Sequence, residues 1–283
     1  MTIDTHLHVW DLGRASYPWL TSALDPINRS FALDEALPQL AQAGIDGVIL
    51  VQAANSVADS QALFAVQSPL VCGVVAWIDL LHPAEVDHQM DRWSEHRTFV
   101  GVRHLIHNEP DPDWLARATV RRSLAHLAAR NLAYDVVAVL PRHLEHARAI
   151  ADEMPELRLI IDHLGTPPVG ASSREPWTTL IRDLSRRPNV FVKLSGLTTL
   201  GSGSATSAAL QPYVDLALDA FGPERLMYGG DWPVSTLAAP YASTWATANE
   251  LLLALSPDER RRVLDLTARR AYVLGPSRAD ENN

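Results

Sequence analysis

Eight short runs rich in Val and Ile, each followed by a segment with helical spacing of apolar residues, constrain the fold of this chain most tightly. In order they are "TIDTHLHVW", "GVILVQA", "LVCGVVAWID", "FVGVRHLI", "LAYDVVAV", "RLIIDHLG", "VFVKLSGL" and "RLMYGGDWP". Their starts recur at about the ~30 residues that a strand plus a crossover helix requires. Between them, "LDEALPQLAQAG", "NSVADSQALFAVQ", "AEVDHQMDRWSEH", "DWLARATVRRSLAHLAARN", "LPRHLEHARAIADEMP", "WTTLIRDLSRRP" and "LQPYVDLALDAFG" read as helices, with Gly44 and Gly222 placed as helix-ending glycines. Eight such units predict a single-domain (β/α)8 barrel, an α/β fold of about 250 residues that would use nearly all of the 283 present.

An open doubly wound sheet is the main rival. It normally carries a glycine-rich phosphate loop after its first strand, whereas "LGRASYPWL" stands there instead. The last helix is expected over "SPDERRRVLDLTARRAYVL", with Ser256 as N-cap, Pro257 in the first turn and Glu259 completing a capping box. The barrel is therefore expected over residues 1–275, with a polar tail over 276–283.

The net charge of -9 and the scattered basic residues argue against nucleic acid or an anionic membrane as partner. No apolar stretch approaches the ~20 residues of a spanning helix, and the first residues lack the basic and apolar regions of a signal peptide. A small-molecule substrate in the cytoplasm is the expectation, with a homo-oligomer left open. Cys72 is the only cysteine, so it forms no intrachain disulfide; its apolar surroundings suit core packing.

In a barrel of this kind chemistry collects at the C-terminal ends of the strands. Side chains alternate along a strand, so His6 and His8 are expected on one side, with Asp4 one step deeper on that same side. Two imidazoles at i and i+2 can grip a divalent cation, although a bare His-x-His is more often a pair of polar residues at a strand edge. The sixth run ends in His163 and the eighth in Asp231 after two glycines, which makes a shared site with zinc or manganese conceivable. Arg103 and His104 close the fourth run, Tyr134 and Asp135 sit in the fifth, Lys193 and Ser195 in the seventh, and Trp77 in the third. Arg103 stands out because a guanidinium offers planar, fixed donors to a carbonyl or carboxylate oxygen. Lys193 fits either a substrate contact or an ion pair inside the barrel, and Trp77 either a sugar platform or packing. His107 lies in the loop after the fourth run, where nothing in the sequence supports a substrate contact.

The blocks "DTHLHVWD", "GVRHLIHNEPD", "IDHLGTPP", "VKLSGL" and "RLMYGGDWPVSTLA", in that order across nearly the whole chain, resemble the amidohydrolase superfamily. The similarity is to its amidohydrolase-2 branch and the sugar-acid lactonase group of L-fuconolactonase and L-rhamnonolactonase type. That resemblance implies the same barrel, with His6 and His8 as the first-strand pair, His163 as the sixth-strand histidine and Asp231 as the residue that handles the hydrolytic water. It further implies substrate binding by Arg103 and His104. Tyr134 and Arg103 stand where many superfamily members carry a metal-binding histidine and a bridging lysine or glutamate, so a two-metal centre is not expected. Two versions stay open: one divalent cation held by His6, His8 and Asp231 while Arg103 and His163 orient the carbonyl, or a metal-free site in which Arg103 and the histidines polarise the carbonyl and Asp231 takes the proton of the water directly. Tyr134, Trp77, Lys193 and His104 are the expected substrate contacts. Decarboxylation of an aromatic or unsaturated acid, known in the same branch, is the alternative reaction.

Overall fold

The computed structural model describes residues 1–200 and 205–275, so the expected tail over 276–283 lies outside the described residues. Eight parallel strands follow one another around the sheet in sequence order: β1 (Ile3–Leu7), β2 (Gly47–Val51), β3 (Val71–Ala76), β4 (Phe99–His104), β5 (Ala133–Val136), β6 (Arg158–Ile161), β7 (Val190–Leu194) and β8 (Leu226–Tyr228). The ends meet at the top of the sheet, where Leu7 bridges Trp232, and the His8 and Asp231 amides donate to the carbonyls of Trp232 and His6, each at 2.7 Å. This is the nearly closed (β/α)8 barrel that the spacing of the apolar runs predicts.

Helices α1 (Leu33–Ala43), α2 (Val57–Phe64), α3 (Pro83–Ser94), α4 (Ala118–Ala129), α5 (Pro141–Glu153), α6 (Trp177–Leu184) and α7 (Ser207–Phe221) fall on the segments read as helical. An eighth, α8 (Tyr241–Leu251), does not stand out in the sequence, because "YASTWATANEL" is mostly small and polar and has little apolar stripe. The last helix is not continuous. The Ser256–Glu259 capping box opens α9 (Pro257–Arg261), a π-helical turn over Arg262–Leu266 follows, and α10 (Thr267–Tyr272) ends at Val273 with φ 51°. Among the described residues no helix is long and apolar enough to cross a membrane.

The core has two shells. Ile3, Ile49, Val75, Ile160, Phe191 and Met227 fill the barrel interior together with Ala268 and Tyr272 of α10, and a larger apolar layer lies between the sheet and the helices. One irregularity corrects the expected facing of β1. Asp4 pairs with Val48 and Leu7 with Leu50, so three steps on β1 oppose two on β2. This bulge breaks the simple alternation. His6 projects into the barrel, whereas the Asp4 carboxylate accepts hydrogen bonds from the Gly230 amide and from Tyr241 of α8, each at 2.8 Å. Asp4 is thus a buried tie between β1, β8 and α8, not a deeper member of the histidine cluster.

Candidate active site

The strand ends surround a cavity of about 360 Å³ whose floor is made by His8, Arg103, His163 and Asp231. Each comes from a different strand end. His8 follows β1, Arg103 lies in β4, His163 follows β6 and Asp231 follows β8. Two of them have left the extended backbone: His163 has φ 54° and Asp231 φ 54°, a left-handed conformation that costs energy for residues with a Cβ and is concentrated at functional sites. Gly196, with φ 62°, packs beneath both.

Arg103 is held from several sides. Its Nη1 donates to Asp162 Oδ2 at 3.0 Å and approaches His6 Nε2 at 3.2 Å, its Nη2 donates to the Gln52 carbonyl, and Gln52 Nε2 returns a bond to the Arg103 carbonyl at 3.0 Å. A guanidinium never loses its proton, so His6 Nε2 must be the acceptor. The other ring nitrogen, Nδ1, lies between Lys193 Nζ at 3.1 Å and Asp162 Oδ1 at 3.3 Å. Burial, assisted by Lys193, holds the His6 pKa well below its ordinary value, which keeps the ring neutral. Burial by itself would raise the Asp162 pKa. The opposing charges of Lys193 and Arg103 outweigh it and keep that carboxyl well below the usual carboxylate range.

At His8, Nδ1 lies 2.7 Å from the Val51 carbonyl, which can only accept, so Nδ1 carries a proton, and Nε2 lies 3.4 Å from Asp231 Oδ1. His163 Nδ1 is fixed by Ser195 Oγ at 2.9 Å.

The expected substrate contacts lie elsewhere. His104 points away from Arg103, as its neighbour on the strand must; it pairs with Glu109 at 2.7 Å, accepts from Trp77 Nε1 at 3.1 Å and stacks on Trp114 with ring centroids 4.0 Å apart. Tyr134 faces the outer apolar layer, fully buried, while Asp135 turns inward. Lys193 faces the barrel interior but one layer too deep: it is fully buried between Asp135 Oδ2 at 2.5 Å and Asp162 Oδ1 at 3.1 Å. None of His104, Trp77, Tyr134 and Lys193 lines the cavity. Asp162 is the residue that reading the sequence missed. The signal was present in "IIDHLG", where a carboxylate ends a fully apolar run immediately before His163.

His6, His163 and Asp231 bring possible ligand atoms within 4.8 Å of one another, so the geometry can be tested for a divalent cation. The nitrogen of His6 nearest Asp231, at 3.8 Å, is the one that already accepts from Arg103. A cation there would displace that bond and sit beside a permanent positive charge. The anticipated set of His6, His8 and Asp231, like the His6, His163 and Asp231 group, would therefore hold a divalent cation only by giving up the Arg103 contact to His6.

The amidohydrolase family model matches residues 3–274. L-Fucono-1,5-lactonase of Burkholderia ambifaria is 32% identical over 99% of this chain and 98% of its own length. A Burkholderia multivorans amidohydrolase solved with bound zinc superposes with a TM-score of 0.89 at 30% identity, covering 97% of this chain and all (100%) of the other. A dihydroxybenzoic acid decarboxylase from Polaromonas sp. JS666 with bound manganese is more distant, sharing the fold with a TM-score of 0.68 at 13% identity over 96% of each chain. The barrel, the strand-end residues that converge on its floor and the match across almost the whole sequence lead to one assignment: this chain belongs to the amidohydrolase family.

Proposed function

We propose that this protein hydrolyses a sugar-acid lactone to the open-chain acid in the cytoplasm, without a metal. The observation that carries the reading is the convergence of a guanidinium, an oriented imidazole and a carboxylate on one cavity floor, at Arg103, His163 and Asp231. The relationship to L-fucono-1,5-lactonase across the whole chain supports the substrate class. Arg103 and His163 take the lactone carbonyl oxygen, where negative charge develops as the carbonyl carbon becomes tetrahedral. Asp231 accepts a proton from a water that enters the cavity beside it, and that water attacks the carbonyl carbon. The bond from that carbon to the ring oxygen then breaks, and Asp231 passes the proton it took from the water to the departing alkoxide, which returns the carboxylate to its starting state. A strained or activated ester needs no stronger electrophile, and Arg103 supplies the fixed positive charge.

Acid release from a panel of five- and six-membered aldonolactones, followed with a pH indicator, tests the assignment. Hydrolysis of at least one member, with no carbon dioxide from aromatic acids, is the expected result. Treatment with a chelator is expected to leave kcat/KM unchanged; loss of activity restored by zinc would overturn the metal-free reading.

A further inference from the structure

The cavity is divided by depth. Its floor carries the charged and hydrogen-bonding groups of the strand ends, while the loops that rise from β1, β5, β7 and β8 line its walls with Leu24, Val137, Val139, Leu200, Val234 and Leu237. Two of these reach the mouth with large apolar side chains open to solvent, Val139 at 42% and Leu237 at 37% exposure. Above the floor, among the described residues that line the cavity, His107, Thr166 and Thr199 offer polar side chains, and the Trp19 indole N–H is already taken by the Ala53 carbonyl. Those groups can meet the hydroxyls of a sugar lactone near them, whereas a hydroxyl pressed against the apolar side chains would be desolvated at a cost.

We infer that the enzyme has a further activity toward δ-lactones bearing an alkyl chain on the carbon next to the ring oxygen, with the ester on the polar floor and the chain against the apolar walls. The inference rests on the lactonase reading of the same floor. The chemistry is unchanged: water adds to the carbonyl carbon, the bond to the ring oxygen breaks, that oxygen takes up a proton, and the product is a hydroxy acid that ionises to release one proton. What changes is the source of affinity. In a sugar lactone it comes from hydroxyl contacts; here it comes from removing methylenes from water.

The test is kcat/KM for δ-lactones with no chain, a methyl, a propyl and a pentyl group, measured together with a fully hydroxylated aldono-1,5-lactone. Each methylene is expected to raise kcat/KM about two- to fourfold until the chain reaches the mouth, the upper figure being the factor that about 0.8 kcal/mol per buried methylene gives. In Val139→Asn and Leu237→Asn the increment per methylene is expected to fall toward onefold. Reading the slope within each variant separates this loss from any general loss of activity. A flat slope in the wild type, with the hydroxylated lactone hydrolysed, overturns the inference and leaves the lactonase reading standing. Failure to hydrolyse any lactone overturns both.

Discussion

Gly196 has no side chain, and two proposed catalytic groups depend on that. A Cβ built at this position would lie 2.6 Å from His163 Nδ1 and 2.9 Å from Asp231 Oδ2, closer than packed atoms come, and the φ of 62° already disfavours any L side chain. Gly196→Ala is therefore expected to displace both residues and lower kcat at least tenfold. Steady-state kinetics check it, with a melting curve to confirm that the fold survives. Asp231→Asn keeps the shape of the side chain and removes its capacity to take a proton. A general base of this kind contributes about 10²- to 10⁴-fold, so kcat is expected to fall in that range with KM changing only a few-fold. A variant retaining full kcat would exclude Asp231 as the base. The sequence marks Asp231 and His163 because they end apolar runs. It does not mark Gly196 in the same way, because the close approach beneath them is created by β6, β7 and β8 meeting in space.

At the level of elements, the strands were legible and the facing of their side chains only partly so. Apolar runs of four to six residues report buried parallel strands whatever their neighbours are, which is why β1 to β8 fall where the sequence places them. Facing fails where local pairing intervenes. The bulge in β1 sends Asp4 to Tyr241, and the ordinary alternation of β4 and β5 puts His104 and Tyr134 behind the sheet once Arg103 and Asp135 face inward. The connection between the β1 loop and α2 carries a similar hidden tie. Asp59 of α2 accepts from Tyr17 Oη at 2.8 Å and from the Ala53 amide at 3.0 Å, beside Trp19 and Ala53 on the cavity wall. Burial pushes its pKa from 3.8 up to about 6, the Tyr17 and backbone hydrogen bonds only partly opposing it. The native state thus favours the protonated acid. The resulting stability is fully present below about pH 4 and is lost as the pH rises through about 6, amounting to about 3 kcal/mol. In Asp59→Asn this contribution should no longer vary with pH. The stability difference between wild type and variant, from urea unfolding at pH 4 and pH 7, is expected to change by about that amount; a constant difference would exclude the assignment.

Across the whole molecule, the barrel interior is layered from bottom to top. Apolar side chains of all eight strands and Tyr272 form the lower layers. Above them Asp135, Lys193, Asp162 and Arg103 form a buried set of two carboxylates and two cations, and the cavity floor lies on that set. The set does two things at once: it closes the charge balance inside the barrel, and it holds Arg103 and the His6 ring in the positions on which the floor depends. Sequence alone could not separate a substrate lysine from a structural one, because depth in a barrel is set by how far each strand is staggered against its neighbours. The layering makes the structural role of Lys193 testable. Lys193→Met leaves Asp135 facing only Tyr272 and removes one of two cations from Asp162, and breaking a buried pair in this way costs about 3–5 kcal/mol. Removing the orphaned carboxylate as well, in Lys193→Met/Asp135→Leu, is expected to restore a large part of that loss, since Asp162 keeps Arg103. Urea unfolding of the two variants beside the wild type decides the matter. A double variant no more stable than Lys193→Met would mean that the methionine itself disrupts the packing and that charge balance is not what holds Lys193 in place.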